Sequence, residues 1–316
     1  MSLVARLTCK RARHTLYAID CIANGGTTVS ELPSASIRVA CLQMEPKIGD
    51  PDGNLRRSLE LCRRAIANGA QLLVLPELAS SGYVFATREE AWEAAEELPM
   101  GPTCKAWGKF CQDNSVYLVA GIAEVSGNDL FNSSVLFGPQ GHIGTYRKTH
   151  LWNRENLFFE PGNSGFPVFH TPIGRISMLI CYDVWFPEAY RACALQGADI
   201  ICIPTNWVPI PGQADGERAM ATVLCQANAH SNSVYVAAAD RIGMERGQLF
   251  NGESVIVSYT GWPLSGPASA ADEEIIYADL DLGLARAARR WNDFNDPIRD
   301  RREDLYSDLS KFGLSN

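Results

Sequence analysis

Three residues whose types could carry out acyl chemistry stand at the ends of apolar runs. QLLVLPE ends in Glu77, the stretch from NSSVLFG through GTYRKTH leads to Lys148, and GRISMLIC ends in Cys181. A thiol attacks a carbonyl or nitrile carbon as thiolate, so it needs a base or a cation beside it. Glu77 is a candidate to take the thiol proton and later deliver it to a leaving nitrogen. Lys148 offers positive charge to an oxyanion and keeps Glu77 ionised. The Tyr182 backbone N–H, at the turn after the cysteine, is a candidate second oxyanion donor. Singly, each residue has a plainer reading: Cys181 as core filler, Lys148 on the surface, Glu77 in a loop. Their common placement at strand ends selects the chemical reading, because rigid strands aim the residues that follow them.

The elements that must position these residues are short. Apolar runs at 37–44, 71–77, 115–124, 132–138, 174–183, 198–207, 233–240, 254–258 and 274–282 read as strands. Several are almost continuously apolar, as expected of strands covered on both faces. Helices are predicted over 54–70, 187–198 and 216–232. In the first, Leu55, Leu59, Leu61, Cys62 and Ile66 share a face, Asp52 and Asn54 offer caps, and Gly69 ends the run. Pro187 opens the second at a first-turn position. The alternation implies a layered α/β domain. It spans 37–283, between an N-terminal extension (1–36) and a charged C-terminal arm (284–316).

The sequence resembles the nitrilase superfamily of carbon–nitrogen hydrolases over most of residues 37–305. The resemblance is carried by LLVLPELASSGY around Glu77, YRKTHLWNRENLFFEPGN around Lys148 and GRISMLICYDVWFPEAYRACALQGADIICIPTNW around Cys181. ADRIGMERGQLFNGESVIVSYTGWPL adds the family's Arg-x-Gly and Phe-x-Gly-x-Ser stretch. The resemblance implies a Glu77–Lys148–Cys181 triad, and it makes Glu155 the second glutamate, which orients Lys148 or assists the hydrolytic water. It further implies a four-layer α-β-β-α sandwich, no metal or organic cofactor, and a homodimer or higher homo-oligomer with C-terminal tails crossing the interface.

Within that resemblance, Tyr182-Asp183 after the cysteine is the commoner amidase and carbamoylase form, where many nitrilases carry Trp-Glu. Val184 and Trp185 stand where D-amino-acid carbamoylases place a pair of arginines, which argues against that carboxylate clamp. Tyr83, Trp152, Trp185, Phe186, Asn206 and Trp207 are the candidate pocket residues, and an aromatic pocket favours a neutral substrate. The expected activity is hydrolysis of a small neutral amide. The alternatives are a nitrilase acting on small aliphatic nitriles, an N-carbamoyl amidohydrolase, and a catalytically silent scaffold. His150, two residues from Lys148, either lines the site or makes a structural hydrogen bond. A serine amidase would have to use Ser164, which lacks the flanks of a GxSxG elbow.

Composition closes off other classes. The 316 residues carry a net charge of −8 and 46% hydrophobic content, without the basic patch a nucleic-acid partner requires. No apolar run reaches the roughly 18–20 residues of a membrane span. Ten cysteines contain no CxxC pair, so a zinc ribbon is not indicated. Several lie in apolar runs and read as small hydrophobes in a reducing, cytoplasmic setting. The start is basic, with Arg6, Lys10, Arg11 and Arg13, but lacks the core of a secretory signal.

Overall fold

The structure is a computed structural model that describes residues 36–306, apart from 213 and 215. The N-terminal extension, save Ser36, and the last residues of the arm lie outside the described residues.

In chain order the first half runs β1 (Ile37–Gln43), α1 (Pro51–Ala67), β2 (Leu72–Val74), α2 (Arg88–Glu93), β3 (Glu96–Glu97) and α3 (Pro102–Asn114). The long hairpins β4 (Tyr117–Ser126), β5 (Asp129–Gly138) and β6 (Gly141–Arg147) follow. The second half runs β7 (Val168–Thr171), β8 (Gly174–Met178), α4 (Pro187–Leu195), β9 (Ile200–Pro204), α5 (Met220–Asn232) and β10 (Tyr235–Ala239). It closes with β11 (Met244–Glu245), β12 (Gln248–Leu249), β13 (Val255–Val257), β14 (Pro263–Ser265), β15 (Glu274–Leu280), α6 (Leu282–Ala287) and α7 (Glu303–Tyr306).

Two sheets form. One is ordered β15-β1-β2-β4-β5-β6 with β3 on β4, and the other β14-β13-β10-β9-β8-β7. Each has a parallel centre, β1-β2-β4 and β8-β9-β10, and antiparallel edges. The layers follow from side-chain alternation. Val39, Cys41, Val74 and Val119 point to the core shared with the second sheet. Their neighbours Ala40, Leu42, Leu73 and Leu118 pack on Leu61, Cys62, Trp107 and Cys111 of α1 and α3. The second sheet is covered by α4 and α5, through Tyr190, Cys193, Cys225 and Ala229. Both sheets thus have two buried faces, which is why their central strands read as unbroken apolar runs. The result is the four-layer α-β-β-α sandwich.

Helix α1 begins earlier than its apolar spacing suggests. Asp50 caps it, accepting from Gly53 N at 2.9 Å. Asn54 is not a cap: it is buried and donates to the carbonyls of Lys47 and Ser80. Helix α3 has no counterpart in the sequence-level reading. Its apolar face is built from Cys104, Trp107, Phe110 and Cys111, interrupted by Gly108 and polar residues, and opens with Pro102. The edge strands β6 and β7 were also not legible, because half of each is solvent-facing. Over its described part the C-terminal arm packs on its own domain. Ile298 touches the core, and Arg191 donates to the Pro297 carbonyl at 3.3 Å.

Candidate active site

Glu77 follows β2 by three residues and is wholly buried. Its backbone is stitched into the sandwich: Glu77 N donates to Thr205 O and Gly121 N donates to Pro76 O. Gly121 of β4 is what allows this path. A Cβ there would stand 2.4 Å from Glu77 Cα and 2.5 Å from Leu78 N. Lys148 directly follows β6, and its N–H donates to Asn132 O of β5 at 2.8 Å. Asn132 serves twice, because its side-chain Nδ2 donates to Glu77 Oε1 at 2.6 Å.

Lys148 Nζ lies 2.7 Å from Glu77 Oε1 and 2.7 Å from Glu155 Oε1, with all three side chains buried. Glu155 sits in a 3₁₀ turn over Asn153–Leu157. Its Oε1 also accepts from the Tyr83 hydroxyl at 2.5 Å, and its Oε2 from Trp152 N at 3.2 Å. Glu77 differs in one respect. Its Oε2 is buried with no partner among the described residues. Burial pushes the Glu77 carboxyl up to about 7, against the pull of Lys148. Burial works against the Lys148 charge too, but Glu155 and Glu77 overcome it and hold the ammonium above its ordinary range.

Cys181 is not the last residue of its strand. Strand β8 ends at Met178, and the chain then turns so that Cys181 opens a 3₁₀ turn over Cys181–Trp185 with φ of +45°. A left-handed cysteine is a costly conformation that the surroundings must enforce. Asp183 does so. It is fully buried and accepts from Ile180 N at 2.9 Å and the Tyr146 hydroxyl at 2.8 Å. Burial, then the charge on Glu77, pushes the Cys181 thiol well up, while Lys148 works the other way. The thiol is therefore neutral at rest and faces the electrostatic field of the carboxylate–ammonium cluster. Among the described residues no backbone carbonyl accepts from the Tyr182 N–H.

Cys181, Trp152, Tyr182, Trp185, Asn206, Trp207 and Val208 line one cavity. Tyr83 stands at the neighbouring one, with Glu155. Five of the six expected pocket residues are thus gathered near Cys181. Phe186 is the correction: its ring stacks on His150 at 3.6 Å and turns an edge to Tyr182, so it supports the turn and does not line the cavity. His150 is structural as well, its Nδ1 2.7 Å from Asp183 Oδ1. Ser164 is exposed, and its hydroxyl reaches only the Gly165 carbonyl. Val184 is buried in the core and cannot meet a substrate carboxylate.

Several residues of the site were not singled out in the sequence. Asn132 sits in the polar FNSS section of β5, where buried polar residues in a strand are the available signal. Arg241 and Glu245 pair at 3.1 Å under the loop that carries Tyr83, and Glu245 Oε2 accepts from Tyr83 N and Val84 N. Asp240 holds Trp207 N at 2.9 Å. The eight described cysteines are all buried and unpaired, and Cys41, Cys62 and Cys202 are plain core.

This geometry has known counterparts. The family profile for carbon-nitrogen hydrolases matches residues 38–290. A nitrilase from Pyrococcus abyssi is 45% identical over 271 residues, covering 85% of this chain and 99% of that protein. An N-carbamoylputrescine amidase from Oryza sativa subsp. japonica is 31% identical over 304 residues, 91% of this chain and 97% of that one. Among solved structures, an amidase from Nesterenkonia sp. superposes with a TM-score of 0.71 at 26% identity, covering 88% of this chain and 98% of that one. Another structure of the Nesterenkonia amidase shows acrylamide added to the active-site cysteine. The chain belongs to the carbon-nitrogen hydrolase family. It is a cysteine-dependent hydrolase of carbon–nitrogen bonds.

Proposed function

We propose that the protein hydrolyses small neutral amides through a thioester on Cys181. The observation that carries this reading is the division of labour on Glu77. Its Oε1 is engaged by Lys148 at 2.7 Å and Asn132 at 2.6 Å, while Oε2 is buried and unpartnered among the described residues. A carboxylate anchored by one oxygen, with a proton affinity near neutrality, can move a proton at the other.

In this reading Glu77 takes the thiol proton as sulfur bonds to the substrate carbon. The carbonyl electrons move to oxygen, and Lys148 Nζ and the Tyr182 N–H hold that oxyanion. The oxyanion collapses, Glu77 protonates the nitrogen, and the C–N bond breaks, releasing ammonia or amine. Water then gives a proton to Glu77 and attacks the thioester. Collapse of the second oxyanion breaks the C–S bond and frees the acid, and the proton returns to sulfur. Glu155 keeps Lys148 placed and charged. The cluster's own charges are mutually satisfied, and tryptophans dominate the cavity wall, which suits a neutral substrate.

A second reading, the hydrolysis of small aliphatic nitriles, is favoured by the 45% identity to a protein named a nitrilase. The same residues would serve, with sulfur adding to the nitrile carbon and Glu77 supplying the nitrogen's protons. Ammonia release over matched amides, nitriles and N-carbamoyl compounds separates the readings, with Cys181→Ala in parallel. Amide turnover that vanishes in Cys181→Ala supports the proposal. Turnover of nitriles alone would replace it with the second reading, and full activity in Cys181→Ala would overturn the mechanism.

A further inference from the structure

The Cys181 cavity is small, with about 240 Å³ of space between atoms, and next to it lies a second of about 490 Å³. Trp152 and Val208 belong to the walls of both. The second cavity is walled largely by rings: Tyr83, Phe85, Phe158 and Phe159. These rings brace one another, Phe85 edge-on to Phe158 and Phe159 at 6.4 and 6.0 Å, so the chamber is preformed. Its acid, Glu155, has both oxygens engaged, by Tyr83, Lys148 and Trp152 N. An apolar chain therefore meets no unsatisfied charge from it.

We propose that Val208, with Trp152, is the partition that sets the acyl-chain length this enzyme accepts. The inference rests on the reading of Cys181 as the nucleophile, and it holds for amides and nitriles alike. A substrate bound at Cys181 extends until it meets the Val208 side chain. Beyond it lies apolar space that longer chains would use if the partition were lower. Val208 is well placed for this role because the residue before it is clamped on both sides. Trp207 N donates to Asp240 Oδ1 at 2.9 Å, and Trp207 O accepts from Asn251 N at 2.9 Å. Truncating Val208 thus opens space without releasing the loop. Each methylene that finds apolar contact multiplies a specificity constant by about fourfold, whereas one that meets a wall is rejected by about 10- to 200-fold.

The test is kcat/KM along the linear series from acetamide to hexanamide, and the matching nitriles, for the parent, Val208→Ala and Val208→Leu. In the parent, the constant falls before hexanamide. Val208→Ala raises the hexanamide-to-propanamide ratio by about tenfold or more, chiefly through KM, and Val208→Leu lowers it. The larger variant keeps the test decisive should the smaller one not fold. A ratio within twofold of the parent in folded Val208→Ala, with short substrates still hydrolysed, overturns the partition alone. A parent that turns over hexanamide as well as propanamide does the same. No ammonia from any amide or nitrile overturns the functional reading, and this inference with it.

Discussion

Asp183 and His150 are joined twice: Asp183 Oδ1 accepts from the His150 backbone N–H at 3.1 Å and lies 2.7 Å from its ring Nδ1. The other Asp183 oxygen holds Ile180 N and the Tyr146 hydroxyl. Tyr146 and His150 flank Lys148, and Ile180 precedes Cys181. One carboxylate therefore ties the segment bearing the ammonium to the turn bearing the thiol. Asp183→Ala strands buried donors and is expected to cost about 3 kcal/mol or more. Urea denaturation measures it. A midpoint equal to the parent's would show that the tie carries little.

Lys148 sits between two buried carboxylates, so its removal leaves like charges facing each other. Lys148→Met should destabilise the fold by about 3–5 kcal/mol and reduce kcat by at least about a thousandfold. Thermal melts and single-turnover ammonia release, read together, would show whether stability and chemistry fall together. A stable, active Lys148→Met would remove the ammonium from the mechanism.

The Glu77 carboxyl, raised by burial to about 7, dictates the acid limb of the pH profile. As base it must be ionised, so it works above that value and is lost as pH falls through it. kcat/KM is expected to drop with unit slope below about 7, and Glu77→Gln should abolish the limb together with the activity. An acid limb centred near 4.5, the ordinary carboxylate value, would refute the assignment.

Gly121 is where backbone approach is tightest, with the position of its missing Cβ 2.4 Å from Glu77 Cα. Gly121→Ala must push Glu77 aside. A displacement of about 1 Å costs about a hundredfold in kcat, so activity should fall further than the melting temperature suggests. Parallel kcat and melting measurements on this variant check it, and an unchanged kcat would count against the constraint.

The types and order of the reacting residues were legible in the chain because their signals are local. Nearly unbroken apolar runs mark strands covered on both faces, and Pro187 and Gly69 punctuate helices whatever surrounds them. The family stretches around Glu77, Lys148 and Cys181 place the candidates without coordinates. What only the tertiary structure decided depends on strand register and sheet pairing. Pairing of β5 with both β4 and β6 brings Asn132 to Glu77 and Lys148 at once. The left-handed turn at Cys181 is held by Asp183, whose partners lie more than thirty residues upstream as well as beside it. Phe186 reads as a pocket residue by its position in the chain, yet His150 claims its ring. Val208 draws no notice in the sequence, because a partition between two cavities exists only once both walls have been built.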